Sequence, residues 1–157
     1  MVAVTATLER IVAGPYPAEL LREGGTGLCL FAARFYGSND AVHMARAGME
    51  LMLVDTNARV VEMADMYAAA YMQGDAWEFA HRHSGVNQWD AVSVDTYTGD
   101  ATTRSLANLE LWCSLARDVV TLTHVRGQEY LVPDGWTDEF VIRKERGGVN
   151  WLVLTRA

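Results

Sequence analysis

This sequence of 157 residues predicts an α/β fold: a three-layer sandwich whose sheet is mostly parallel and ends in an antiparallel hairpin. Three observations carry that expectation. The stretch from Gly27 to Asp55, GLCLFAARFYGSNDAVHMARAGMELMLVD, has the pattern of a strand, a loop, a helix and a second strand. Short apolar runs then keep alternating with helical spacing as far as Val125. At the end, residues 139–144 and 149–156 are strand-like runs separated by Glu145, Arg146, Gly147 and Gly148, and the Gly-Gly pair permits the positive φ angles of a tight hairpin.

Taken in order, residues 6–12 and 17–23 have the pattern of two short helical pieces separated by GPYP, whose prolines make the junction extended. Residues 1–26 are therefore expected to form an N-terminal helical extension of a single domain spanning 1–157. Leu28 to Ala33 is an apolar run suited to a parallel strand buried on both faces. Ser38, Asn39 and Asp40 are helix-start residues, Ala41, Met44, Ala45 and Ala47 supply helical spacing, and Gly48 closes that helix. Met49 to Val54 is the second strand, with Asp55 at its carboxyl end.

Thr56 and Asn57 open the next helix, whose buried stripe is Val60, Val61, Met63, Ala64 and Tyr67. Residues 71–73 form a short strand. Asp75 then caps a helix holding Ala76, Trp77, Phe79 and Ala80, which Ser84 and Gly85 end. Trp89 to Val94 is a buried strand followed by Asp95, Thr96, Tyr97 and Thr98. One helix is expected over 103–117, then a strand over 118–125 rich in β-branched residues. Residues 126–136 contain Pro133 and Gly135 and look too short for a further helix.

Composition removes several classes of function. A net charge of −7 argues against general nucleic-acid binding, which needs clustered Lys and Arg. The one tight basic cluster, Arg143, Lys144 and Arg146, is diluted by Glu145 and sits at the expected hairpin tip. No apolar run approaches the roughly 20 residues that span a bilayer. The first ten residues lack a basic leader and a long apolar segment, and Cys29 and Cys113 lack metal-type spacing; a cytoplasmic protein with reduced thiols is expected. No nucleophile elbow or Walker loop is present.

The strand ends carry the candidate chemistry. Open α/β sheets bind ligands outside the carboxyl ends of their strands, and an acid there can accept hydrogen bonds from two ribose hydroxyls. Asp55 holds that position, so a nucleotide-type cofactor is expected; its alternative is a helix-capping acid. Asp75 is either a site residue or only an N-cap. Asp95, Tyr97 and Asp100 gather beside the same crevice, and the DTYT segment is either a structural turn or a catalytic one. Of the histidines, His81 and His83 project in different directions and suit a solvated helix end, His43 lies on an amphipathic helix, and His124 ends a strand at the crevice edge.

This order of five strand–helix steps and a terminal hairpin resembles the class I S-adenosylmethionine-dependent methyltransferase fold, over Gly27 to the C-terminus. MARAG and the spacing from Gly48 to Asp55 look especially like that family. The resemblance implies S-adenosylmethionine as cofactor. It makes the first loop Ala32, Ala33, Arg34, Gly37 and Ser38, the ribose acid Asp55 with Thr56 after it, and the adenine-edge position Asp75 with Ala76. Asp95 and Tyr97 fall in the substrate-facing turn, as catalytic candidates. The loop keeps only Gly37 of the family's glycines, and Arg34, Phe35 and Tyr36 are bulky. The family's acid before the loop has no counterpart, and Arg34 is placed to pair with the cofactor's carboxylate.

The implied function is methyl transfer to an unidentified acceptor, either a small molecule or one presented by a protein. The alternatives are a non-catalytic binding or assembly module of the same fold, and aminopropyl transfer, from the likeness of Asp95–Tyr97 to the V-D-x-Y turn of spermidine-synthase-like enzymes. The hairpin edge offers a surface for a homodimer.

Overall fold

The computed structural model describes residues 2–4, 8–12, 21–33, 40–96, 99–123, 128–143 and 149–157. The described elements are β1 (Val2–Val4), β2 (Leu8–Val12), β3 (Thr26–Leu30), α1 (Asp40–Arg46), β4 (Glu50–Asp55), α2 (Arg59–Tyr67), β5 (Ala70–Gln73), α3 (Ala76–Arg82), β6 (Trp89–Val94), α4 (Gly99–Leu106), α5 (Leu109–Cys113), β7 (Ala116–Thr123), β8 (Tyr130–Val132), β9 (Trp136–Arg143) and β10 (Val149–Arg156).

Eight of these strands form one sheet in the order β2-β9-β10-β7-β6-β3-β4-β5. From β7 to β5 every neighbouring pair is parallel, and β10 runs antiparallel to both β7 and β9. Each parallel step needs a crossover, and the helices supply it, so the middle strands are covered on both faces. All six residues of β6 are buried, which is why its sequence lacks polar alternation. Along β3, the period of two sends Leu28 and Leu30 into the core packed by α3, α4 and α5. Cys29 goes into the core on the other side, with Ala41 and Met44 of α1 and Val60, Met63 and Ala64 of α2. The result is the three-layer α/β sandwich with a mostly parallel sheet and C-terminal antiparallel hairpin expected from sequence. At the end of α1, Gly48 takes φ +81, the left-handed conformation a helix-closing glycine supplies.

Three expectations are corrected. Helical residues were expected over 6–12, but Leu8–Val12 is a strand, paired in parallel from Leu8 with Glu139 to Val12 with Arg143. The outer edge of β9 otherwise presents a row of unpaired backbone groups, and satisfying them outweighs a weak local helical pattern. Val2–Val4 likewise pairs antiparallel with β8. The pairing of β2 covers the outer edge of β9 in the hairpin. The second correction is the single helix over 103–117, which is two helices, with β7 beginning at Ala116. Asn108 interrupts it: its side-chain amide donates to the Arg104 carbonyl at 2.7 Å, and the Trp112 indole N–H takes the Ser105 carbonyl at 2.9 Å. Third, the first strand of the hairpin starts at Trp136 rather than 139, after a turn in which Gly135 has φ +83.

Candidate functional site

Three backbone hydrogen bonds carry the sheet one step past its strand ends. The Asp95 N–H donates to the Leu30 carbonyl at 3.2 Å, the Ala32 N–H to the Val54 carbonyl at 3.2 Å, and the Gly74 N–H to the Asp55 carbonyl at 2.9 Å. Asp95, Ala32–Ala33, Asp55 and Gly74–Asp75 therefore lie side by side across the carboxyl ends of β6, β3, β4 and β5. Five of the residues predicted from sequence, Ala32, Ala33, Asp55, Asp75 and Asp95, are brought together by this register.

Asp55 is half-buried, and each of its oxygens holds one backbone donor: Oδ2 accepts from the Ala33 N–H and Oδ1 from the Asn57 N–H, both at 2.9 Å. Asn57 in turn accepts from the Arg59 N–H at 3.0 Å, so Asn57 orders the start of α2 and Asp55 orders the loops on either side of the crevice. A carboxylate has about four lone-pair sites, so these two bonds leave acceptor capacity on both oxygens. Ala32 and Ala33 are buried and put only methyl groups next to it. Thr56, the next residue, is exposed at the crevice rim.

Asp75 is exposed and caps α3, its Oδ1 accepting from the Glu78 N–H at 3.0 Å. Ala76 behind it is buried, and Trp77 packs in an aromatic row with Phe31 (centroids 6.1 Å) and Trp112 (4.8 Å), with the Arg104 guanidinium 3.9 Å above its ring. Phe31 has φ +59, a left-handed backbone that bulky side chains rarely adopt. Sequence inspection missed this; an aromatic residue directly after a parallel strand, where the resembled family's glycine-rich loop begins, was the available signal.

Past β6, Asp95 is 3% exposed, and Thr96 is tied to α4 through Thr102 (Oγ1 to Oγ1, 3.2 Å). The other acid beneath the crevice, Asp40, was anticipated only as a helix-start residue. It does begin α1, but its side chain turns inward and is fully buried. Arg34, Gly37, Ser38 and Tyr97 lie outside the described residues, as does His124. His83 is occupied structurally, its Nδ1 2.9 Å from the Phe79 carbonyl and its ring stacked on Phe79; His81 is exposed, and His43 is buried. A groove of about 770 Å³ opens elsewhere, between the end of α3, the α4–α5 pair and β8. It holds none of the crevice residues.

A sheet of this order, with acids at the ends of the strands in the second, third and fourth parallel steps, is the class I methyltransferase fold. No family model and no curated protein matches the sequence. The solved structures similar to it include a candidate O-methyltransferase from Klebsiella pneumoniae, 11% identical, over 84% of this chain and 73% of that one, with a TM-score of 0.61. A candidate methyltransferase, yhhF from Escherichia coli, is 12% identical over 86% and 79%, with a TM-score of 0.60. Cofactor-bound Rv0187 from MTB is 13% identical over 88% and 74%, also at 0.60. At such identities the likeness is one of fold.

Proposed function

We propose that this chain binds S-adenosylmethionine across the ends of β3, β4 and β5 and transfers its methyl group to an acceptor, either a small molecule or a group presented by a protein. The observation that carries the proposal is the state of Asp55: fixed by two backbone donors, half-open to solvent, and left with lone pairs for a pair of vicinal hydroxyls. Ala32 and Ala33 put only methyl groups beside it, and Asp75 with Ala76 stands where the edge of a base would be held. Arg34, Gly37, Ser38 and Thr56 complete the cofactor set as the resemblance implies. That similar folds carry methyltransferase descriptions supports the same reading.

When bound, the cofactor supplies an electrophilic methyl group on a sulfonium. The chain's own residues have to align the acceptor and exclude water, and a base is needed only where the acceptor must lose a proton. Asp95 at the end of β6 is the group that orients the acceptor or takes its proton, and Tyr97 joins it as the resemblance implies.

The test is calorimetric titration with S-adenosylmethionine and S-adenosylhomocysteine against wild type and Asp55→Ala, with thermal melts to confirm that both are folded. Micromolar binding that the variant weakens by about 1–3 kcal/mol is expected. A folded wild-type protein that ignores millimolar ligand would overturn the cofactor role and leave a non-catalytic binding or assembly module.

A further inference from the structure

Helix α1 begins on a carboxyl group set inside the protein. Asp40 Oδ2 accepts from the Ser93 hydroxyl at 2.6 Å and from the Thr121 hydroxyl at 3.3 Å, and Oδ1 accepts from the Trp151 indole N–H at 3.1 Å. These donors stand on β6, β7 and β10, three adjacent strands, so one side chain fastens the start of α1 to the middle of the sheet. All three donors are neutral. Among the described residues, the titratable groups around it are Asp95 just past β6, the Cys29 thiol on β3, and His43 one turn along α1, each buried. Among the described residues, the charge that acts on Asp40 is that of Asp95, and it is repulsive. Burial first, and Asp95 second, raise the carboxyl from 3.8 to about 7 against the pull of the three hydrogen bonds. Cys29 is pushed well above its usual value by burial and by both acids, so it stays a neutral thiol.

We propose that Asp40 is a positioning residue, a latch that seats the start of α1 on the sheet beside Asp95 while protonated and loosens that seat once ionised. An ionised carboxylate facing Asp95 has two ways to lower its energy: it regains a proton, or α1 draws outward until water reaches it. Above neutral pH the second route takes over. The consequence for ligand rests on the cofactor role proposed above, because α1 follows the β3 loop and borders the same crevice; the latch itself is read without ligand.

Amide hydrogen exchange of residues 41–46 at about pH 6 and about pH 8.5, corrected for the intrinsic rate, tests it. Wild-type protection should fall by about tenfold or more across that interval, whereas Asp40→Asn should hold it constant. Asparagine suits the seat because its oxygen accepts from the indole while its amide donates to the rotatable hydroxyls. His43→Gln should keep the wild-type response, which separates Asp40 from its titratable neighbour. Unchanged protection in wild type, or a pH response that survives in Asp40→Asn, would overturn the latch. Should Asp40→Asn not fold, Trp151→Phe removes a hydrogen bond that favours the charged form and must move the midpoint to higher pH; an unmoved midpoint would also overturn it. S-adenosylhomocysteine titrations at the same two pH values read the consequence, with affinity falling alongside protection in wild type only. Loss of protection without binding at either pH would remove the cofactor role and leave the latch standing.

Discussion

The two ends of the sheet bury carboxylates in opposite ways. At the amino ends of the strands, Asp90 of β6 is 8% exposed, and its Oδ2 accepts from the Thr26 N–H at 2.8 Å. Its Oδ1 faces Arg117 at 3.3 Å and Arg22 at 3.9 Å, and Arg22 bridges on to Asp118 at 2.8 Å. The Thr26 backbone bond and the two guanidinium groups hold the Asp90 carboxyl below its ordinary value. At the carboxyl ends, Asp40 has three neutral donors, another acid beside it and, among the described residues, no such cation, and its carboxyl is raised. One end spends its acid on stability. The other keeps two acids close together and buried, with neutral donors as partners of Asp40.

The difference has opposite signs with pH. A depressed carboxyl such as Asp90 contributes stability that is present above its unfolded value of 3.8 and is lost as pH falls through its lower folded value. A raised one such as Asp40 contributes stability that is fully present below 3.8 and is lost as pH rises toward about 7. The largest expected effect is Asp90→Ala at neutral pH, a loss of about 2 kcal/mol by urea denaturation, because the part-buried Thr26 N–H loses its charged acceptor. The ion pairs add little of this, since Arg22 and Arg117 are 65% and 52% exposed. The loss should shrink in acid. Asp40→Asn should instead gain on wild type as pH rises from about 4 to about 7. Two variants with the same pH slope would break the comparison.

The parts of the site legible in sequence are those fixed by local pattern. Asp55 and Asp75 are marked by an apolar run ending on an acid and by an acid opening a helix, and both marks are read within a few residues. Asp40 was visible only as a helix start, because its partners Ser93, Thr121 and Trp151 lie 53, 81 and 111 positions away, where no local period reports on them. The strand at Leu8–Val12 was hidden for the same reason, its partner being β9 at the other end of the chain. The break between α4 and α5 turns on where one Asn108 amide goes, a matter of side-chain direction that helical spacing does not encode.

Phe31 adds a strained backbone position at the crevice end. At φ +59 any side chain with a Cβ is disfavoured by roughly 1–2 kcal/mol relative to glycine. Phe31→Ala loses the ring's contact with Trp77 and retains the strain; Phe31→Gly loses the contact but relieves it. The glycine variant should therefore be the more stable of the two by about 1 kcal/mol, the reverse of their usual order in regular structure. Thermal melts of the pair decide this, and an alanine variant as stable as glycine would mean that the left-handed turn is not strained.

Asp75 gives the smallest effect and the finest distinction, because it already has a structural duty. Its carboxylate caps α3 through the Glu78 N–H, so Asp75→Ala should lose about 1 kcal/mol of stability from the cap alone. That loss would lower any ligand affinity indirectly and so says nothing by itself about the adenine edge. Asp75→Ser separates the two duties: serine caps a helix about as well as aspartate, yet its shorter side chain withdraws the acceptor from the crevice. If Asp75 only caps, the serine variant should match wild type in both melting temperature and S-adenosylhomocysteine affinity. If it also holds the base, melting should stay within a few tenths of a kcal/mol while affinity falls by about tenfold, the cost of one lost hydrogen bond. The second outcome is the expected one, since Asp75 is exposed at the rim, directly after the Gly74 that hydrogen-bonds the Asp55 carbonyl.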